Sequence, residues 1–138
     1  MRSPLAWSVA VIGFLVAVLD AGAALVSGEV HTWEAQEITF QAAGDYANPY
    51  AEVDCWIELE GPGFAKRVYG FWDGGRVFKV RFVATAAGEW RWKSGSNQPQ
   101  DAGLNGGAGR LLAVDWTEDE KAENANRRGF VRASANGP

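Results

Sequence analysis

Residues 70–92 read GFWDGGRVFKVRFVATAAGEWRW, and turn residues and strand alternation agree within this stretch. Two adjacent glycines, Gly74 and Gly75, can adopt the positive φ angles that a tight hairpin requires. After them, apolar and basic residues alternate over residues 78–82, as in a strand with one buried face. A second turn at residues 86–88 leads into two tryptophans spaced by two. The stretch therefore predicts three consecutive antiparallel strands, a β-meander.

Strand patterns continue on both sides of the meander and indicate the fold class. Together they predict about seven strands, at residues 35–42, 52–60, 65–71, 76–83, 89–93, 110–116 and 130–132. The polar residues 117–128 have no apolar stripe to bury, which favours an exposed turn over a packed helix. Short strands separated by Gly and Pro turns, without an amphipathic helix, predict an all-β immunoglobulin-like antiparallel β-sandwich.

The predicted core depends on packing alone, because the chain has one cysteine and cannot form an intrachain disulfide. Cys55 alternates with apolar residues along its strand, which favours a small buried side chain over a nucleophile. Large aromatic residues must then supply much of the buried surface. We expect the core to contain Phe40, Phe78, Phe82 and one of Trp90 or Trp92.

The position of Trp72 depends on the register of the first hairpin. A two-residue turn at Gly74-Gly75 places Phe71 on the buried face beside Phe78. A three-residue loop with a bulge places Trp72 on that face instead. The sequence leaves both registers open.

The first 23 residues differ from the rest of the chain in composition. A short basic start precedes an almost uncharged apolar run at residues 5–19, and Ala21 and Ala23 form an A-x-A-like cleavage site. The run is shorter than the ~20 residues that span a bilayer, which favours a signal peptide over a membrane anchor. We expect cleavage near Ala23 or Ala24, a secreted or periplasmic protein, and no stable membrane span after cleavage.

Charge and residue types exclude several functional classes. The formal net charge is −4 and the basic residues are scattered, so nucleic acid is not an expected partner. The single histidine, His31, cannot supply a histidine cluster for a metal, and the aspartates match no calcium loop. Acidic residues such as Glu58 and Glu60 fall on the exposed face of a strand. We expect no catalytic residues, no metal and no cofactor in this chain.

Aromatic residues outside the predicted core are the best candidates for binding. Trp56 occupies the polar register of its strand, so it should be exposed or covered by a neighbouring domain. Trp72, Tyr46 and Tyr50 lie in or beside loops. Such rings can stack on sugars, or they can cap the ends of the sandwich or form a contact with another domain, to which Trp33, Trp56 and Phe130 would contribute. We favour capping or a domain contact over sugar stacking.

An ordered set of motifs resembles one known family. The residues that carry the resemblance are Trp33, Glu37, Phe40, Tyr46-x-Asn48-Pro49-Tyr50, Gly70-Phe71-Trp72-Asp73-Gly74, Val80-Arg81-Phe82 and Gly88-Glu89-Trp90. They resemble the N-terminal β-sandwich domain of unknown function, family 5060, that precedes (β/α)₈ glycoside hydrolase domains in secreted bacterial enzymes. The resemblance covers roughly residues 33–131, and its most specific part is the aromatic-Asp-Gly turn with the following Val-Arg-Phe strand.

The resemblance implies a domain organisation and a function. The sandwich would occupy residues 30–132, and residues 133–138 would begin a linker to a catalytic barrel. A barrel needs about 250 residues, so we expect it to be missing from this chain and the chain to be a fragment. The implied function is a non-catalytic accessory domain that packs against the barrel. The alternatives are a carbohydrate-binding module that uses exposed Trp and Tyr rings, and a secreted surface interaction domain.

Overall fold

A computed structural model describes residues 28–131 of the protein. The predicted signal peptide and the predicted linker lie outside these residues. Within them the chain forms eight strands, β1 (Glu29–His31), β2 (Ala35–Gln41), β3 (Cys55–Gly61), β4 (Phe64–Tyr69), β5 (Phe71–Gly74), β6 (Val77–Val83), β7 (Gly88–Ser96) and β8 (Ala108–Val114). It also forms two short helices, α1 (Pro49–Glu52) and α2 (Glu118–Glu123), and a 3-10 helix (Ala125–Arg128).

The strands form two sheets. The large sheet has five strands in the order β1-β8-β7-β3-β4, and the small sheet has three in the order β2-β6-β5. Neighbouring strands are antiparallel, except that β1 runs parallel to β8. Buried side chains of both sheets face each other across one core. The predicted all-β sandwich is confirmed.

The predicted meander is wrong in one respect. Strands β5 and β6 pair in the small sheet, but β7 belongs to the large sheet. The predicted strand at residues 65–71 is likewise divided, because the chain crosses from the large sheet to the small one at Gly70. A Cβ atom there would lie 2.6 Å from Cys55 Sγ and 2.7 Å from the Lys79 carbonyl oxygen. A residue without a side chain therefore permits the crossing.

Further differences concern short segments. Strand β1 was not predicted, since three residues give too little alternation to recognise. The start of the predicted strand at residues 52–60 is instead the end of α1, which Pro49 initiates with its fixed φ angle. The predicted strand at residues 130–132 is also wrong, because the described part of it, residues 130 and 131, is not in a strand.

The predicted exposed turn at residues 117–128 contains helix α2. Thr117 caps it: its hydroxyl accepts the Glu120 N–H at 3.3 Å, and its own N–H donates to Glu120 Oε2 at 2.8 Å. This capping box satisfies two N–H groups that the first turn leaves without partners. No residue of α2 is buried, so the expectation that this segment lacks a packed face is met.

The core contains both tryptophans of β7 rather than one of them. Trp90 and Trp92 are both buried, as are Phe40, Phe78 and Phe82. Glycines beside the two indole rings explain why both fit: a Cβ at Gly61 would lie 2.3 Å from Trp90, and a Cβ at Gly109 would lie 2.7 Å from Trp92. Phe40 of the small sheet meets Trp92 edge to face, with ring centroids 6.1 Å apart.

The strand directions define two ends of the sandwich. What we call the Trp33 end comprises residues 32–34, 62–63, 84–87 and 115–131, and the Tyr46 end comprises residues 42–54, 75–76 and 97–107. The two ends carry different sets of predicted functional residues.

Candidate functional site

An aromatic contact at the Trp33 end holds the last described residues against the sandwich. The rings of Trp33 and Phe130 meet edge to face with centroids 5.1 Å apart, and the Trp33 ring also covers Gly129. Trp33 adopts a left-handed backbone with φ 64°, and its N–H donates to the Ala84 carbonyl at 2.9 Å. Phe130 is still 71% exposed and Val131 is fully exposed. The structure thus brings together two of the three residues predicted for a domain contact.

Trp116, which the sequence analysis did not single out, organises the same end. Its indole N–H donates to the Thr32 carbonyl at 2.7 Å, and its ring lies against His31 at a centroid distance of 3.8 Å. The Arg127 guanidinium lies 4.3 Å from its ring centroid. Trp116 therefore joins β1, the end of β8 and the 3-10 helix. In the sequence, only its position at the end of a predicted strand could have indicated this role.

Several polar groups of the Trp33 end are paired with one another. They surround a shallow cleft of about 250 Å³. The Thr32 hydroxyl donates to Asp115 at 3.1 Å, and Lys121 pairs with Glu118 at 3.0 Å. A hydrogen bond from Lys121 holds the pKa of Glu118 below its ordinary value. This end is a surface of paired charges around an exposed aromatic ring.

Trp56 lies on the outer face of the large sheet, away from that end. Its ring covers Gly95 of the neighbouring strand, where a Cβ would lie 2.7 Å from the indole nitrogen. The Arg67 guanidinium lies 4.2 Å from the ring centroid, and Tyr69 contacts the ring edge to face at 6.1 Å. Arg67 is itself bound to Glu58 at 2.6 Å. Trp56 is half-buried by these neighbours.

The hairpin register places Trp72 on the inner face of the small sheet. Trp72 pairs with Phe78, a bulge separates it from Gly74, and Gly75 and Arg76 form the turn. Of the two alternatives, the one with a bulge therefore assigns the faces correctly. Trp72 is nevertheless 40% exposed, because β5 is an edge strand, and its indole N–H donates to the Gly75 carbonyl at 2.9 Å.

Tyr46 is bound to a buried carboxylate that the sequence analysis missed. Its hydroxyl donates to Asp101 Oδ2 at 2.7 Å, and Asp101 also accepts the N–H groups of Ala43, Gly44 and Gly103 at 2.9–3.0 Å. Burial alone would raise the pKa of Asp101, but these four hydrogen bonds hold it below its ordinary value. Burial, together with the bond to Asp101, raises the pKa of Tyr46 to about 12.

The aromatic residues proposed for sugar stacking do not form one surface. Trp56 faces outward from the large sheet, and Trp72 lies in the inner register of the small sheet. Tyr50 is 81% exposed on α1, which contacts β5. Tyr46 is the fourth candidate, and none of the aromatic ring pairs within residues 28–131 joins any two of the four. Their role in sugar binding stays a prediction.

Groups suited to metal binding are also absent from the part of the chain that the structure describes. There, no three His, Cys, Asp or Glu side chains lie close enough together to hold a metal ion. Glu58 and Glu60 are exposed on the outer face of the large sheet. Among the described residues, no helix has the length and apolar character needed to cross a bilayer.

Cys55 is expected to be chemically inert in the folded protein. It is buried, and burial, with the nearby Asp54 carboxylate, raises the pKa of its thiol to about 11. At pH 8 the thiolate would be about one part in a thousand, so iodoacetamide should label the native chain slowly and the urea-unfolded chain fully. As a control, an Asp54→Cys, Cys55→Ser variant carries its thiol on the exposed face and should label quickly when folded. Equal rates for native and unfolded wild type would contradict the burial.

The fold and these surfaces define an all-β sandwich with partly exposed aromatic residues at both ends and on both sheets. The chain belongs to the family described as Domain of unknown function (DUF5060), whose model matches residues 29–97. It is also similar to a crystal structure of a "putative glycoside hydrolase" from Bacteroides vulgatus ATCC 8482, with 26% sequence identity and a TM-score of 0.55. No curated protein matches the chain.

The extent of the structural match matters for its interpretation. The similarity covers 67% of this chain but only 17% of the Bacteroides protein. The chain thus corresponds to a small part of that protein. Family and structural neighbour together fit an accessory domain associated with a glycoside hydrolase.

Proposed function

We propose that this sandwich is a non-catalytic accessory domain of a secreted glycoside hydrolase, and that it packs against a catalytic (β/α)₈ barrel. The observation that carries the proposal is the contact between Trp33 and Phe130 at the point where the described chain leaves the sandwich. The match to a small part of a Bacteroides protein described as a glycoside hydrolase supports it. Secretion rests on the apolar leader at residues 5–19.

The Trp33 end has the composition of a protein contact. Aromatic residues and arginine are enriched where protein surfaces meet, and Phe130 with its large exposed fraction fits that role. The backbone of residues 125–129 is held to the sandwich by Arg127 on Trp116 and by the ring of Trp33 on Gly129. A domain following this segment would start from a fixed position, which reduces the entropy lost on packing.

Binding to a barrel tests the proposal. We expect the coding sequence beyond codon 138 to encode a barrel, and this barrel, produced separately, to form a 1:1 complex with the chain in analytical ultracentrifugation. Phe130→Ala should weaken the complex at least about tenfold, as at an interface hot spot. Tyr69→Ala, which removes a 61% exposed ring from the outer face of the large sheet, is the matched control and should leave binding unchanged.

Three results would contradict the proposal. They are a downstream gene without a barrel, a barrel that does not bind the chain, and hydrolysis of a polysaccharide by the chain alone. Equal losses of binding in Phe130→Ala and Tyr69→Ala would place the contact elsewhere on the sandwich.

A further inference from the structure

The Tyr46 end carries a cleft of about 380 Å³ between the loop that follows β2 and the loop that follows β7. Its walls include Tyr46, Gln98, Pro99 and Gln100, with Asp101 at its base. A cleft of this size falls within the range of small-molecule sites, roughly 300–1,000 Å³. We propose that this cleft binds one unit of a neutral saccharide. The choice of a saccharide rests on the proposed association with a glycoside hydrolase.

The aromatic wall of the cleft is fixed in position. The Tyr46 hydroxyl donates to Asp101 Oδ2 at 2.7 Å, and the ring also packs against the edge of the core. Asp101 in turn is held by backbone N–H groups from both loops, Ala43 and Gly44 on one side and Gly103 on the other. A ring held in this way loses little conformational entropy when a sugar packs its C–H groups against it.

Amide side chains supply the polar part of the site. The Gln98 side-chain nitrogen donates to the Glu52 carbonyl at 2.7 Å, which fixes the orientation of its amide group. Gln100 is exposed beside it. An amide both donates and accepts hydrogen bonds, as a sugar hydroxyl does, so the two types of group are complementary. Proline and tyrosine next to two amides form the mixed apolar and polar lining that a saccharide ring requires.

The charges around the cleft favour a neutral ligand. Both carboxylate oxygens of Asp101 are already occupied by four donors, so this group does not offer a site for a cation. Arg76 lies nearby, but it donates to the Ala43 carbonyl at 3.3 Å and lies 3.7 Å from Asp45. A uronic acid carboxylate would therefore have to compete with Asp45 and the Ala43 carbonyl for Arg76, and it would meet the field of Asp101.

The cleft and the proposed barrel contact are at opposite ends of the sandwich. A ligand beside Tyr46 would leave Phe130 free, so the domain could hold a polysaccharide while packed against the barrel. Trp56 takes no part in the cleft, because its ring faces outward from the large sheet under Arg67. The inference therefore differs from a sugar platform on that sheet.

Titration calorimetry with the full chain tests this inference. The probes are neutral hexasaccharides of β-1,4-linked glucose, β-1,4-linked xylose and β-1,4-linked mannose, with a galacturonate hexasaccharide as the charged comparison. We expect one neutral probe to bind with a Kd of about 1 mM or below and the galacturonate probe to bind at least about tenfold more weakly. Absence of binding by all neutral probes at about 10 mM, or stronger binding of galacturonate, would overturn the inference.

Variants locate the site. Tyr46→Ala should weaken binding at least about tenfold, and Gln100→Ala about two- to tenfold, as expected for one hydrogen bond. Tyr69→Ala is the matched control, because it removes a 61% exposed tyrosine that does not line the cleft, and it should change the affinity less than about twofold. Gln100 is exposed, so its variant tests the site even if Tyr46→Ala unfolds the chain. Unchanged affinity in Gln100→Ala, or loss of binding in Trp56→Ala alone, would place the site elsewhere.

The two proposals fail in distinguishable ways. If the saccharides do not bind but Phe130→Ala still weakens the barrel complex, the inference about the cleft is wrong and the accessory function stands. If saccharides bind at Tyr46 but no barrel does, the chain is a carbohydrate-binding module and the proposed packing is wrong.

Discussion

Replacing Asp101 with alanine is expected to lower the free energy of unfolding by ~3–5 kcal/mol, because several buried donors would lose a charged acceptor at once. Asp101 is 5% exposed and accepts the N–H groups of Ala43, Gly44 and Gly103 as well as the Tyr46 hydroxyl. Urea unfolding followed by tryptophan fluorescence measures the change. Domains of this size have roughly 5–15 kcal/mol in total, so the loss would be large.

The matched control is Asp45→Ala. Asp45 lies on the same loop as Tyr46, but its side chain is 90% exposed and lies 3.7 Å from Arg76. Exposed ion pairs contribute about 0–1 kcal/mol, so this variant should unfold close to wild type. If Asp101→Ala were no less stable than Asp45→Ala, the hydrogen bonds to Asp101 would not hold the loops together.

The same residues predict how stability depends on pH. The pKa of Asp101 is lower in the folded protein than its ordinary value of 3.8, so its contribution is complete above that pH and is lost as the pH falls below it. The pKa of Tyr46 is raised from 10.0 to about 12, so its contribution is complete below pH 10 and is lost as the pH rises through 12. In Asp101→Asn the loss on the acid side should be smaller than in wild type.

Replacing Trp90 with alanine is expected to lower the free energy of unfolding by ~3–5 kcal/mol, the range for large aromatic side chains removed from a core. Trp90 is fully buried, its ring lies against Gly61 and Phe64, and its indole N–H donates to the Ala86 carbonyl at 2.9 Å. The substitution removes the ring and leaves that carbonyl without its donor. Thermal and urea unfolding measure the effect.

Trp72→Ala is the control for Trp90→Ala. Its ring is 40% exposed at the edge strand, although its N–H also donates to a backbone carbonyl, that of Gly75. The two variants thus lose the same chemical groups from sites that differ in burial. We expect Trp72→Ala to lose less than half as much stability as Trp90→Ala. If the two variants lost the same free energy of unfolding, burial of the Trp90 side chain would not explain its contribution to stability.

Alternation along the chain was sufficient to predict most strands, but it could not assign them to sheets. A strand with one buried face has the same pattern in either sheet of a sandwich. The predicted strand at residues 65–71 therefore concealed the crossing at Gly70, which depends on contacts with Cys55 and Lys79. Strands β1 and β8 pair in parallel although they lie more than 80 positions apart in the sequence. A local pattern of residues cannot predict such a pairing.

The candidate sites divide in a similar way. Tyr50 follows a stretch of turn residues, so its exposure could be predicted. Trp56 occupies the polar register of its strand, so its partial exposure could be predicted as well. Asp101 could not be predicted, because its four donors come from two loops that lie more than 50 residues apart. The sequence around an aspartate in a Gly-rich loop does not show whether its carboxylate is exposed to water or accepts hydrogen bonds that join two loops.

The family motifs also have a structural explanation. The Arg81 guanidinium lies 4.8 Å from the centroid of the Phe71 ring and 2.7 Å from Glu37, and Lys79 joins Glu37 to Asp73. The hydrogen bonds from Arg81 and Lys79 hold the pKa of Glu37 below its ordinary value, and the bond from Arg81 has the larger effect. The aromatic-Asp-Gly turn and the Val-Arg-Phe strand thus bind each other on the outer face of the small sheet. Contacts within the small sheet therefore account for these motifs.

The parallel pairing of β1 with β8 affects how the domain would respond to mechanical force. The chain enters the sandwich through β1 and passes from β8 into its last helices, so tension along the polypeptide pulls these two strands in opposite directions. Parallel strands pulled in this way slide against each other, and their hydrogen bonds bear the load together. Antiparallel strands pulled from one end separate one bond at a time. Tension applied at the two ends of the sandwich would therefore be resisted through this pair of strands.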